Sequence, residues 1–462
     1  MTGDEEFDEV TAAVRERVDP DEEERERMRE AAAALRERAE TAIAHLPVDA
    51  DAIQVGSTAR GTWIGGDRDI DLFVRFPAEL EREKLESYGL TVGHAVLSEG
   101  REEYAEHPYV TGEYEGFDVD CVPCYRLESA TEIQSAVDRT PFHTEYLESR
   151  LDDDLAGEVR LFKQFLKGIG VYGSDLRTRG FSGYLTELLV LEYGSFRAVV
   201  EAAADNWHPP VRFDPEDHGS DDLAFDDPLV VIDPTDPERN VAAVCSAENV
   251  AGLQHHAREL LADPREALFF PEPTEPLDAA GVRDHVETRG TTPVALRFDA
   301  PDVVEDQLYP QLRKSLAGVQ DELDRRGFDP LRAAAFADDD AVLFAELAVA
   351  ERPVVERHEG PPVHVREHAE GFYEKYADES RDADGSTTYG PFLDGDRYVV
   401  EREREFRTAE AFIDSDAIFD VALGVHVESA LEDGYDVLVG ADVAELAAEF
   451  GSELADYFDP RP

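Results

Sequence analysis

Lysine is nearly missing from this sequence. Only Lys84, Lys163, Lys167, Lys314 and Lys375 occur in 462 residues. Cysteine is as scarce, with Cys121, Cys124 and Cys245 alone. Three thiols do not make a disulfide framework, which excludes the small secreted scaffolds and suits a reducing cytoplasm. No run of eighteen apolar residues exists, so no membrane-spanning helix is expected. The opening MTGDEEFDEVTAAV lacks the basic and apolar regions of a secretory leader. These absences together predict a cytoplasmic protein without a membrane partner.

What is abundant is acid. Asp and Glu number 106 against 44 Lys and Arg, for a formal net charge of −62. Such acidity can signal disorder, but a hydrophobic content of 42% and regular periodicity argue for a folded chain. The length allows roughly two to four domains with a substantial core. Acidic excess with scarce lysine resembles proteins of salt-loving microbes. At about 1 M salt the Debye length falls to roughly 3 Å, and self-repulsion is largely screened. Taken over the whole chain, the charge argues against nucleic-acid binding, because that affinity usually rests on neutralising phosphates. Local charge points the other way. The stretch EVRLFKQFLKGIGVYGSDLRTRG, 158–180, holds five basic residues and two acidic ones. The strip from Lys163 to Arg179 is therefore the expected contact for RNA.

Periodicity divides the chain. A long amphipathic helix is expected over 22–46, strands over 53–56 and 69–76, a helix over 80–88, and strands over 109–114 and 117–127 with Gly116 at their turn. Interleaved strands and helices over some 140 residues predict one α/β domain. The pattern then turns helical. Thr140-Pro141 reads as a helix opening, with Thr as cap and Pro at the first position. Val159, Phe162, Leu166 and Ile169 form an apolar stripe, with Arg160, Lys163 and Lys167 on another face. Ser182 can cap a helix running to about 200, and 242–262 is helical again. Polar loops are expected at 214–228 and 379–386. In the last third, a strand at 294–298, a helix at 305–326 and strands at 331–336 and 342–349 resemble part of a ferredoxin-like sheet.

The chemistry gathers around VGSTARGTWIGGDRDIDLFVRF, 55–76. Alternate residues of a strand share a face, so Asp69 and Asp71 project together while Ile70 and Leu72 turn to the core. Two carboxylates on one face can hold hard cations such as Mg²⁺. In a chain that is nearly a quarter acidic, Asp-x-Asp also arises by chance. Two features favour a site. Gly56-Ser57 precedes the carboxylate strand, where a tight turn can offer backbone N–H groups and a hydroxyl to an anion, with Arg60 three residues on. Asp120 lies between apolar neighbours in VDCVP, which does not suit a solvated face, and would supply a third carboxylate. Cys121 and Cys124 continue a strand, have no second cysteine pair, and read as ordinary strand residues rather than a zinc or redox motif.

Gly-Ser, Asp-x-Asp and a third acid on another strand resemble the nucleotidyltransferase superfamily typified by DNA polymerase β. The strings GSTARGTW, DIDLFVRFP, VDCVPCY, TPFHTEYL, LFKQFLKGIGVYG, GFSGYLTELL, DPERNVAA and GPFLDGDRYVVE, spread over about 25–455, are similar to the archaeal, class I CCA-adding enzymes. The resemblance implies an α+β multidomain fold. It comprises a polymerase-β-like catalytic domain at 1–139, a helical central domain at 140–275 that completes the nucleotide pocket, and C-terminal α+β tRNA-binding domains at 276–462. It implies template-independent addition of C, C and A to the 3′ end of tRNA from CTP and ATP, release of pyrophosphate, and repair of damaged ends. Asp69, Asp71 and Asp120 would be the catalytic and Mg²⁺-holding residues; the family often has Glu where Asp69 stands. Ser57 and Arg60 match triphosphate-contacting positions. His143, Lys163 and Tyr172 match other nucleotide-binding positions, Thr140 is placed with them, and Arg239 matches an arginine that reads the base edge. Without the resemblance, Ser57 could be a helix cap, His143 a surface histidine, Lys163 a solvent-facing cation and Tyr172 a packing residue. The family further implies tRNA recognised by its acceptor stem and T-arm, and a homodimer. Two other readings remain open at this point. One is a different polymerase-β-like transferase, such as a poly(A) polymerase or an oligoadenylate synthetase. The other is a non-catalytic RNA-binding or nucleotide-sensing protein.

Overall fold

A computed structural model of the chain describes residues 3–219, 225–377 and 388–462. The loop expected at 379–386 lies outside the described residues, as does the 220–224 part of the loop expected at 214–228. The described residues divide into two compact units, parting between Glu272 and Pro273.

The first unit opens with a helix that the sequence reading passed over, α1 (Gly3–Val18). Its Phe7, Val14 and Val18 are spaced for one helical face, and that face is buried with Phe162, Phe165 and Phe196 rather than against the strands that follow it in the chain. Next come α2 (Glu22–Ile43), capped by Asp21, and β1 (Asp51–Val55). The short α3 (Gly56–Arg60) leads to β2 (Asp69–Pro77), α4 (Arg82–Val96), β3 (Arg101–Tyr104), β4 (Pro108–Tyr114) and β5 (Phe117–Arg126). The five strands form one sheet in the order β1-β2-β5-β4-β3. Only β2 and β5 pair in parallel, because α4 carries the chain back across the sheet between them. α2 and α4 cover one face, burying Met28, Leu35, Val92 and Val96 on Ile70, Leu72, Val74 and Phe76. Gly93 lets α4 lie close: a Cβ there would meet Val110 at 2.5 Å.

α5 (Thr140–Glu148) and α6 (Asp153–Gly168) follow. Thr140 is not the cap of α5. The turn Ala136–Arg139 runs straight into the helix, Thr140 already has helical angles (φ −55°, ψ −41°), and the capping position falls on Arg139, whose side chain makes no cap. Ser182 does cap a helix, accepting from the Leu185 N–H at 3.1 Å. That helix is broken, however. α7 (Gly183–Tyr193) ends at Gly194, whose φ of 82° cannot continue it, and α8 (Phe196–Asp205) restarts on Ser195. The central region is not purely helical either. β6 (Val211–Phe213), β7 (Leu229–Asp233) and β8 (Asp236–Asn240) form a small sheet whose middle strand, Leu-Val-Val-Ile-Asp, is wholly buried. α9 (Ala247–Ala262) starts on Ser246, later than expected.

The second unit contains α10 (Ala279–Arg289), β9 (Thr292–Asp299), α11 (Glu305–Arg325), β10 (Pro330–Ala337) and β11 (Asp340–Leu347). The expected strand, helix and strand pair are thus present. A late strand, β15 (Asp436–Val439), joins them in an antiparallel sheet of order β10-β11-β9-β15. Inserted between are β12 (Val355–Pro362), α12 (Arg366–Ala377), β13 (Tyr389–Asp394) and β14 (Arg397–Glu403), whose strands make a second sheet. The unit also holds α13 (Ala409–Ile413), α14 (Val425–Asp433) and α15 (Ala447–Phe458).

Candidate active site

The alternation of β2 decides where its acids point. Ile70, Leu72, Val74 and Phe76 face α2 and α4. Asp69, Asp71 and Phe73 therefore take the opposite face, where Phe73 packs with Val55, Val122 and Cys124. β5 repeats the pattern, with Val119 and Cys121 towards the helices and Asp118, Asp120 and Val122 away from them. The strands run in register, Asp69 opposite Asp118 and Asp71 opposite Asp120. The three carboxylates singled out in the sequence thus share one face of two adjacent strands.

They crowd each other there. Burial, then the charges of Asp120 and Asp69, push the Asp71 carboxyl up to about 6; Arg60 opposes this. Burial and the neighbouring Asp67, Asp118 and Asp120 likewise raise Asp69, against Lys167. The trio does not close to the spacing of a single ion's shell. Among the described residues, only His255, His256 and Glu259 bring three ligand atoms within 4.8 Å of one another. That last group already has Glu259 paired with Arg265.

Gly56 presses on Asp71 from α3. Its φ is 77°, and a Cβ built on it would run into Asp71 Oδ2. The approach of backbone to carboxylate is possible only for glycine. Ser57 follows, partly buried. It is not a helix cap, since the capping position is Val55 and no side chain caps α3.

Arg60, at the end of α3, is turned inward. It grips Glu187 of α7 with Nε–Oε1 at 3.0 Å and Nη2–Oε2 at 2.9 Å, and its Nη1 donates to Thr144 Oγ1 at 3.2 Å. Thr62 also donates to Glu187. Burial alone would push Glu187 up, but Arg60 and Lys163 hold it below the usual carboxylate range. Lys163 is buried on α6 and donates to the Thr62 carbonyl at 3.0 Å. Its burial lowers the ammonium to about 8. Arg160 is buried too, bound to Asp19 and the Gly61 carbonyl. Arg160 and Lys163 therefore face the interior, which removes Lys163 from the expected RNA-contacting strip, while Lys167, Arg177 and Arg179 of that strip are exposed. Lys167 lies 3.4 Å from Asp67, with its Nζ 5.5 Å from the Tyr172 ring. Tyr172 is partly buried, and burial raises its hydroxyl.

A second cluster forms around Asp233, the fully buried last residue of β7. One oxygen, Oδ2, takes His143 Nε2 at 2.9 Å and Arg239 Nη1 at 2.8 Å. The other, Oδ1, accepts from the Thr235 N–H and hydroxyl at 2.9 and 2.8 Å. Burial would raise this carboxyl; His143 and Thr235 hold it well below its usual range. His143 lies flat on Tyr184, ring centres 3.9 Å apart, and its own burial lowers its proton affinity. Thr140, at the start of α5, is partly buried nearby in the chain. Sequence reading missed both Glu187 and Asp233. The available signal was an acid inside an apolar helix, YLTELLVL, and an acid ending an apolar strand, LVVID.

Three family models match the chain in succession. Residues 34–143 match the nucleotidyltransferase domain, 157–270 the tRNA nucleotidyltransferase second domain, and 289–440 the CCA-adding enzyme C-terminal domain. The CCA-adding enzyme of Haloarcula marismortui is 65% identical across 99% of this chain and 99% of its own. The chain belongs to the CCA-adding enzymes. It is a tRNA nucleotidyltransferase, and its haloarchaeal relatives fit its acidic composition. The likeness extends to methanogens: the CCA-adding enzyme of Methanosarcina barkeri is 40% identical over 95% of each chain. Among solved structures, the Cid1 poly(U) polymerase with Mg and 3′-dATP bound covers 57% of this chain and 98% of its own, at 16% identity and a TM-score of 0.45. Among the described residues, no helix is long and apolar enough to cross a membrane.

Proposed function

We propose that Asp69, Asp71 and Asp120 carry the activity of this CCA-adding enzyme by holding two Mg²⁺ ions beside Gly56-Ser57. The observation that carries the reading is the register of β2 on β5, which sets Asp71 against Asp120 with Gly56 closing over them. The residues suit such a group. They are oxygen donors only, as a hard cation prefers, and Arg60 and Lys167 only partly oppose the burial and like charge that raise Asp71 and Asp69. Once bound, the ions supply charge neutralisation on the phosphates and acidify the attacking 3′-hydroxyl.

The chain's own residues do the rest. Asp120 is positioned beside Asp71 to take the proton from the 3′-hydroxyl of tRNA. CMP, CMP and AMP are then transferred in turn from CTP and ATP, and pyrophosphate leaves. Ser57 offers a hydroxyl to the triphosphate. Arg60 and Lys163, tied down by Glu187 and Thr62, act as fixed positive charge behind it. Thr140, His143, Tyr172 and Arg239 complete the nucleotide pocket. The tRNA partner is taken by the shape of its acceptor stem and T-arm, as suits A-form RNA, which also permits repair of broken ends. The working form is a cytoplasmic homodimer.

The test is incorporation in high KCl with Mg²⁺, using tRNA transcripts that end at the discriminator base. Labelled CTP and ATP are supplied singly and together. Sequential addition that stops after CCA is expected, and a long A tail would contradict it. Asp71→Asn should abolish incorporation, and an active variant would sink the site assignment.

A further inference from the structure

We propose that Asp233 is the positioning residue of the nucleotide pocket, clamping His143 and Arg239 on one carboxylate oxygen so that each presents a fixed edge to the incoming base. This rests on the pocket proposed above, but on a residue that neither the sequence strings nor the family resemblance singled out.

Three observations carry it. Asp233 is fully buried; its Oδ1 is held by Thr235 in the turn between β7 and β8, while its Oδ2 is shared by His143 and Arg239, two residues of the pocket. Arg239, about one-third exposed, borders an open cavity of about 780 Å³ with Arg139, Asp236, Asn240 and Phe225, while His143 and Asp233 are not part of that lining. And His143 meets Arg239 only through Oδ2 of Asp233, while its ring is braced flat on Tyr184.

The chemistry follows from the hydrogen-bond inventory. An ionised carboxylate only accepts, so the neutral imidazole carries its proton on Nε2 and leaves Nδ1 as an acceptor. Arginine is a planar fork, and tying Nη1 down fixes the plane in which the remaining donors point. Cytosine and adenine each set an unprotonated ring nitrogen beside an amine. Uracil and guanine set a ring N–H beside a carbonyl. A donor fork in one fixed place favours the first pair. A fork free to swing reaches a carbonyl oxygen as well, and discrimination falls.

The test compares kcat/KM for CTP, ATP, UTP and GTP in wild type, Asp233→Asn and Asp233→Glu. Unfolded protein lowers all four alike, so the ratio between nucleotides reports only on the folded enzyme. We expect the preference of CTP over UTP, and of ATP over GTP, to fall at least tenfold in Asp233→Asn. Asp233→Glu, which keeps the charge but moves the oxygen, should lie between. In an Arg239→Ala background, Asp233→Asn should lower the preference no further. Equal losses with all four nucleotides, an unchanged ratio, or no incorporation by either Asp233 variant would overturn the proposal. Failure of the underlying site reading shows separately, as activity surviving in Asp71→Asn.

Discussion

Asp71 shows how a site's own charge can work against the fold that carries it. Its carboxyl is raised from 3.8 to about 6. A group raised in the folded state contributes stability that is complete below its unfolded value and is lost as pH climbs through its folded value. Two units correspond to about 3 kcal/mol. In the metal-free enzyme at constant high KCl, Asp71→Asn should therefore melt well above wild type at pH 8, and the gap should close towards pH 4. Mg²⁺ at pH 8 should raise the melting temperature of wild type and leave the variant nearly unmoved. A gap that ignored pH would mean that neither burial nor the neighbouring charges raise the Asp71 carboxyl. This much was legible beforehand: Asp69, Asp71 and Asp120 stand in strands whose alternation can be read directly. Asp233 and Glu187 were not, because a lone acid in an apolar run gains meaning only from partners far off in the chain. Arg60 is a third kind of case. Its place beside the carboxylates was readable, but its pairing with Glu187 was not.

At the scale of elements, α6 and α7 were recognised as helices, but the burial of Arg160 and Lys163 on α6 and of Glu187 on α7 was not. An apolar stripe tells which face of a helix is buried; it does not tell that the other face is buried as well. Arg160 and Lys163 look like solvent groups until Asp19, Gly61 and Thr62 are seen beside them. Glu187 is the counterweight on α7. Breaking a buried ion pair by removing one charge typically costs about 3–5 kcal/mol, because the partner is left uncompensated. Glu187→Gln should lose about that much in thermal melts at fixed KCl, and a further Arg60→Met substitution should recover part of it. If Glu187→Gln melted with wild type, the Arg60–Glu187 pair would not be holding α3 to α7. Among the elements missed, α1 begins in a strongly acidic stretch that hides its periodicity, and β6 to β8 are only three to five residues long. By contrast, the strand pair of β10 and β11 was marked by its acidic turn at Asp338 to Asp340, and it folds as expected.

Across the whole molecule the net charge of −62 sets the working conditions. Raising KCl from about 0.1 M to about 1 M shortens the Debye length from roughly 10 to 3 Å. The melting temperature should climb steadily over that range, by on the order of 10 °C, and an uncharged osmolyte at equal osmolality should not reproduce it. A flat response would remove repulsion as the force that salt relieves. Burial hardly changes the net charge: Arg160 and Lys163 are enclosed, but so are Asp138, Glu187, Asp233, Asp236 and Glu346, so nearly all of the negative charge faces water. A polyanion arriving at that surface meets an atmosphere of small mobile ions before it meets side chains, and those ions belong to the landing ground as much as the polypeptide does.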